Sequence, residues 1–230
     1  RANALLARVR DTSNATFQTI AGALLRSVVR GTRIPADDLG PLLPFLELPD
    51  TSWSGLAVRA GHVRSLGIEG RQTEAIAALG PVIEALDLAP GYAENYPLIV
   101  AYCIDALWAL NCTDGLDRLE LNLREKVVEP DVRYPEVDGR WSLALACALT
   151  GRVEEAEHWF GEARRVLAEQ ETVPLRVAID LDEAIMWERI GGIDALARAR
   201  ILIGRARAGG DHPAMAPWLP RIDEVADRVG

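Results

Sequence analysis

Turn residues recur about every 40 residues along this chain, and this spacing constrains the fold more than any other feature. Each turn lies between two segments that have the apolar periodicity of an amphipathic helix. Glycine, and asparagine to a lesser degree, adopts the left-handed conformation that ends a helix. The pattern predicts helix pairs that stack, because the apolar stripe of one pair is too wide to bury alone. The turns are Gly31, Gly70, Asn111, Gly151 and Gly191.

The segments between these turns define the expected helices. We expect one all-α domain over residues 1–230, since no strand pattern competes with the helical periodicity. The second turn is expected to run from Gly67 to Gly70. A short helix over 1–10 and a capping helix over 215–229 flank the array. The five pairs are predicted over 15–30 and 34–48, 53–66 and 73–88, 94–110 and 115–128, 138–149 and 153–169, and 174–190 and 195–208.

The helix after Gly151 carries a repeated apolar pattern. A small, an aromatic and a small residue lie on one face, and the helix after Gly70 holds apolar residues in the same places. This pattern resembles the second half of a tetratricopeptide (TPR) repeat, although that unit is shorter, at about 34 residues. The resemblance implies a right-handed α-solenoid of about five TPR-like helix pairs plus a C-terminal capping helix. The residues are Ala156, Phe160 and Ala163, and Ala75, Leu79 and Val82.

The last part of the chain contains LDEAIMW at 181–187, GGIDALARAR at 191–200 and ARAGG at 206–210. These segments resemble the C-terminal arrays of large bacterial signalling ATPases. That group includes LuxR-type regulators similar to the maltose activator, and class III adenylyl cyclases fused to an ATPase module. The resemblance implies a sensor region that controls an ATPase, which in turn governs transcription or cyclic nucleotide output.

The chain itself has no GxxxxGK[ST] phosphate loop, no helix-turn-helix signature and no cyclase motif. It can therefore correspond at most to the sensor region of such a protein. The sequence begins without Met, and residues 1–10 look like the end of a preceding repeat. We therefore expect a larger protein of which this chain is a fragment.

Net charge and cysteine usage limit the classes of partner. The formal charge of −9 and the pI near 4.9 disfavour direct binding to nucleic acid or to an anionic membrane. No apolar run approaches the roughly 20 residues that a membrane span requires. The three cysteines, Cys103, Cys112 and Cys147, form no CxxC pair and fall in helical patterns. They indicate buried, reduced thiols in a cytoplasmic protein.

The sequence contains no pattern typical of catalysis or of a cofactor site. The histidines His62, His158 and His212 are far apart and stand outside any HExxH or Cys/His spacing. Glu154, Glu155 and Glu157 form the densest carboxylate cluster, but they lie at the start of a helix, where negative charge favours the helix dipole. No GxSxG nucleophile motif is present. We expect no catalytic residue, no metal site and no cofactor.

The expected binding residues come from the first helix of each pair, which lines the concave face of TPR-like arrays. Counting back about three, six and ten residues from each turn selects polar and aromatic side chains. The acids among them indicate an acidic groove. Trp108 and Trp141 have an alternative role in packing between helices, which we expect for Trp159 and Trp187. The selected residues are Arg64, Tyr102, Asp105, Trp108, Trp141, Asp182 and Glu188.

Three functions follow from these expectations. The first is a non-enzymatic sensor or regulatory region that binds a protein segment or a small effector in its groove. The second is a stand-alone TPR scaffold or adaptor for protein-protein interaction. The third, a helical enzyme, is disfavoured because the Asp-rich metal motifs of such enzymes are missing. The oligomeric state is left open.

Overall fold

The computed structural model describes residues 53–90, 95–131, 137–169, 173–210 and 213–230. Over these ranges the chain is helical and forms no strand, which confirms the all-α class. The predicted helix over 1–10 and the first pair, with its turn at Gly31, lie outside the described residues, as does His212. None of the described helices is long and apolar enough to cross a membrane.

The helices follow the predicted segments closely. The four described turns, at Gly70, Asn111, Gly151 and Gly191, each lie between the two helices of a pair. The last helix begins later than predicted because a 3₁₀ segment with Pro217 precedes it. In order they are α1 (Trp53–Ile68), α2 (Gln72–Leu88), α3 (Tyr96–Leu110), α4 (Leu116–Leu123) with a π-helical continuation (Arg124–Val128), α5 (Gly139–Leu149), α6 (Val153–Glu169), α7 (Val173–Ile190), α8 (Ile193–Gly210), a 3₁₀ segment (Pro213–Trp218) and α9 (Leu219–Val229).

The turn residues adopt the left-handed conformation that the sequence predicts. Their φ angles are 73° at Gly70, 50° at Asn111, 73° at Gly151 and 73° at Gly191. Three turns also close with the same type of backbone hydrogen bond, in which the residue after the turn residue donates to a carbonyl in the last helical turn. These bonds join Arg71 to Leu66 at 3.0 Å, Cys112 to Leu107 at 3.0 Å and Arg152 to Cys147 at 2.9 Å.

The described helices fall into two compact units, one with α1 to α4 and the other with α5 to α9. In the first unit, α1 packs against α2 and α3. Gly67 lies inside α1, contrary to its predicted place in the turn, and permits this close packing. A Cβ atom at Gly67 would be 2.7 Å from Cα of Ala106 in α3. A single array over the whole chain stays a prediction.

The C-terminal end of α2 is held by polar side chains of α4 and its continuation. Asp87 accepts hydrogen bonds from Arg118 and from Asn122. Lys126, the one lysine of the chain, donates its Nζ to the carbonyls of Leu86 at 3.0 Å and Ala89 at 3.0 Å. The contacts of Lys126 satisfy carbonyl groups that a helix end leaves without a helical partner.

In the second unit, α7 is the central helix and packs against α5, α6, α8 and α9. Its residues from Val177 to Trp187 are all buried, as expected of a helix covered on every side. The predicted apolar faces of the second helices are also buried. In α2 and α6 these are Ala75, Leu79 and Val82, and Ala156, Phe160 and Ala163, each at most 2% exposed.

Candidate functional site

Three of the predicted binding residues come together between α1 and α3. The Arg64 Nε donates to Oδ2 of Asp105 at 2.8 Å. The Arg64 guanidinium carbon also lies 5.6 Å from the centre of the Tyr102 ring, within the range of a cation–π contact. Arg64 and Asp105 stand at equivalent places before their turns. The contact therefore joins the first helices of two successive pairs.

Burial separates these residues into packing and accessible groups. Tyr102 is 1% exposed and Trp108 is 5% exposed, so both rings pack inside the first unit. The side chain of Arg64 is 9% exposed and that of Asp105 is 22% exposed. Asp105 is therefore the most accessible of the predicted residues in this unit, and the burial of Trp108 favours its packing role.

In the second unit, Trp141 and Asp182 join the first helices of two successive pairs, α5 and α7. The indole N–H of Trp141 donates to Oδ2 of Asp182 at 3.0 Å. Arg221 of α9 donates to the other carboxylate oxygen, Oδ1, at 3.4 Å. Asp182 is 2% exposed, so donors on both oxygens compensate for the loss of water around the charge. Trp141 is likewise buried, in agreement with its packing role.

Glu188 lies near the C-terminal end of α7 and is joined to α9. Arg228 places its Nε 3.6 Å from Oε2 of Glu188, whose side chain is 25% exposed. Burial lowers the pKa of the neighbouring Arg189, while the charges of Asp182 and Glu188 act in the opposite direction. An arginine stays protonated at neutral pH even with such a shift. Two acids and three arginines thus share this end of the second unit.

Each predicted acid therefore has an arginine partner within the chain. Asp105 pairs with Arg64, Asp182 with Arg221, and Glu188 with Arg228. The acidic character expected for the first helices is balanced by these guanidinium groups. A cationic ligand at any one of these acids would have to compete with its arginine.

The sequence does not predict a further charge cluster, in which the acids are buried and the arginines are partly exposed. Arg164 of α6 donates to Oδ1 of Asp180 at 2.7 Å and also binds Glu183. Arg205 of α8 donates to the same Asp180 oxygen at 2.8 Å. A usable signal was present, because an acid within an otherwise apolar helix requires a cationic partner if it is buried. The identity of that partner depends on which helices pack together.

The three cysteine thiols, of Cys103, Cys112 and Cys147, are buried, and burial affects the pKa and the reactivity of a thiol. Burial raises the pKa of Cys103, and burial together with a hydrogen bond to Asp114 raises the pKa of Cys112. A raised thiol pKa disfavours the thiolate that would act as nucleophile or metal ligand. Within the described ranges, no three His, Cys, Asp or Glu side chains are grouped so as to hold a metal ion.

Comparisons with protein families, with curated proteins and with solved structures found no match to this chain.

Proposed function

We propose that the chain is a non-enzymatic binding domain of TPR-like repeats, arranged as a right-handed α-solenoid, that receives a protein segment or a small effector. The main support is a recurrent local structure. The turns at Gly70, Asn111 and Gly151 share one backbone conformation and one closing hydrogen bond. Repeats of this kind create extended surfaces for binding, and their function lies in recognition.

The contacts between first helices suggest how ligand binding changes the arrangement of the helix pairs. Arg64 with Asp105, and Trp141 with Asp182, each connect one pair to the next. A ligand with a cationic group competes with Arg64 for the accessible carboxylate of Asp105. Such competition changes the spacing of two neighbouring pairs, and each pair contacts its neighbours directly. This provides a physical route from ligand binding to a change in the array.

The wider role in this proposal is that of a sensor or regulatory region in a bacterial transcriptional or signalling ATPase. The support is the resemblance of residues 181–187, 191–200 and 206–210 to the arrays of such proteins. In this role the array binds its effector and changes the activity of the attached ATPase. Neither a cofactor nor nucleic acid takes part in the binding step.

A thermal-shift screen of the full chain tests the binding role. The panel contains nucleotides, sugars, sugar phosphates, and short peptides rich in Arg or in Glu. A ligand at 100 times its Kd stabilises the native state by about 2.7 kcal/mol, which gives a measurable rise in Tm. We expect at least one compound to raise the Tm, and mass spectrometry to recover that compound unchanged.

Variants locate the binding surface. Asp105→Asn or Glu188→Gln should reduce the shift, according to which of the two units binds the compound, because these carboxylates are the most accessible of the predicted binding residues. Glu125→Gln, an exposed acid in the π-helical segment, serves as the control and should retain the full shift. Stabilisation that is equal in all three variants would contradict binding at the first helices. Conversion of the compound by the chain would contradict the non-enzymatic role.

A further inference from the structure

The solvent side of α8 carries an apolar stripe. Ile193 is 87% exposed and Ile201 is 64% exposed. Ala197, Gly204 and Ala208 continue the stripe and are also exposed. These five residues recur at three- and four-residue intervals, so they form one face of the helix. We refer to this set as the α8 stripe. It extends about 20 Å along the helix.

The α8 stripe is not a requirement of the fold, because α6 presents a charged surface in the same register. Superposing the buried positions of α6 and α8, such as Ala156 on Ala195 and Phe160 on Ala199, aligns the outer faces of the two helices. The residues of α6 that correspond to the α8 stripe are Glu154, His158, Glu162, Arg165 and Glu169.

Arginines lie along both sides of the α8 stripe. At 100° per residue, Arg200 and Arg207 fall on one side, and Arg198 and Arg205 on the other. Each is held by an oxygen of the chain, as when Arg198 donates to Glu157 at 2.7 Å and Arg207 donates to Asp223 at 2.8 Å. A guanidinium has five N–H donors, so an arginine held in this way can still donate to a further carboxylate.

We propose that the α8 stripe is a docking surface for an acidic amphipathic helix of a partner protein. The two isoleucines supply apolar area, and Ala197, Gly204 and Ala208 let a second helix approach closely. A Cβ atom built at Gly204 would meet nothing within 4 Å, so the surface is open there. Carboxylates on both sides of the partner's apolar face would meet the flanking arginines.

Charge favours this occupant over the other candidates. A second copy that pairs through α8 would bring two sets of four arginines together. An anionic membrane is disfavoured because the α8 stripe lacks the aromatic side chains that favour the membrane interface. The inference does not depend on the proposed sensor role, because it concerns the outer side of a second helix.

Two fluorescent peptides test this proposal on the full chain by anisotropy. Both have the length of α8 and the same leucine face, and they differ in having Glu or Lys on its two sides. We expect the Glu peptide to bind, with an affinity that falls as salt is added. The Lys peptide should bind at least about tenfold more weakly.

Substitutions assign the site. Ile201→Asp should weaken binding of the Glu peptide by about tenfold or more, because it removes apolar area and adds a repelling charge. Arg207→Glu should weaken the Glu peptide and strengthen the Lys peptide. The matched control is Leu121→Asp on α4, where the replaced side chain is 56% exposed. It should leave the affinity unchanged, and circular dichroism confirms the helical content of each variant.

Several results would overturn the proposal. These are equal binding of the two peptides, no binding of the Glu peptide, or an affinity that Ile201→Asp leaves unchanged. Sedimentation that shows a dimer, lost in Ile201→Asp, would instead assign the stripe to a second copy. Binding to phosphatidylglycerol vesicles that depends on Ile201 would assign it to a membrane.

Discussion

Asp182 is buried in the second unit, where its carboxylate accepts hydrogen bonds from two other helices. Trp141 of α5 and Arg221 of α9 each donate a hydrogen bond to one of the two carboxylate oxygens. A buried carboxylate that loses a donor bears the full cost of its lost hydration. The indole of Trp141 therefore stabilises the fold through its N–H group as well as through its apolar area.

Trp141→Phe tests this role, since it keeps an aromatic ring and removes the donor. We expect the free energy of unfolding to fall by about 1–3 kcal/mol, measured by urea denaturation. Trp159→Phe is the matched control, because its indole N–H lies 3.4 Å from Glu155 on a partly exposed face. A loss in the control equal to that in Trp141→Phe would contradict a specific role for the buried hydrogen bond.

Asp87 makes the stability of the first unit depend on pH. Burial alone would raise its pKa, but hydrogen bonds from Arg118 and Asn122 hold the pKa of Asp87 below its ordinary value of 3.8. A lowered folded-state pKa means that the carboxylate stabilises the fold above the pKa of the unfolded chain. This contribution is lost as the pH falls through the folded-state pKa.

We therefore expect wild-type protein to lose more stability than Asp87→Asn when the pH is lowered from about 7 to about 3. Urea unfolding at several pH values measures the difference. Arg118→Met should reduce the same pH dependence, because it removes a donor to Asp87. Parallel pH profiles for wild type and Asp87→Asn would show that this carboxylate is not responsible.

At the scale of the helix pair, the turns are the best-predicted feature. Gly70, Asn111, Gly151 and Gly191 were expected to end helices, and each has a positive φ angle. The signal is local, because only residue types that tolerate this conformation can end a helix in this way. The prediction that Gly67 lies in the turn is wrong for a different reason. Its role depends on contact with Ala106 of another helix, which the local sequence does not encode.

Gly151→Ala and Gly161→Ala separate backbone conformation from packing. A Cβ atom at either position meets nothing within 4 Å, but Gly151 has a φ angle of 73° and Gly161 lies within α6. We expect Gly151→Ala to destabilise the protein by about 1–2 kcal/mol. Gly161→Ala should stabilise it by about 0.5–1 kcal/mol. Chemical denaturation measures both, and equal effects would refute the assigned turn conformation.

Gly67→Ala tests the close packing of α1 on α3. The new methyl group would meet the backbone of Ala106, so the helices must move apart. We expect a net loss of about 1–3 kcal/mol of stability, in spite of the better helix propensity of alanine. Gly204→Ala, in an open position of α8, is the control and should not destabilise. A stable Gly67→Ala variant would show that the two helices lie farther apart.

At the scale of the whole molecule, the helical class and most helix ends could be predicted from periodicity and turn residues. The partners of the buried charges could not. The sequence predicts Asp182 as a residue of the binding groove, but Asp182 is buried and accepts hydrogen bonds from α5 and α9. Asp180 is bound by Arg164 and Arg205. These contacts depend on which helices pack together. Periodicity does not give this information, because it describes one helix at a time.

The mass of the native polypeptide in its source cell tests the central functional claim most directly. An antibody against this segment detects the polypeptide, and peptide mass spectrometry identifies what is attached to it. We predict a product several times larger than 25.1 kDa that contains an ATPase module with a GxxxxGK[ST] loop. A product of about the mass of this chain would contradict the sensor role and favour the stand-alone scaffold.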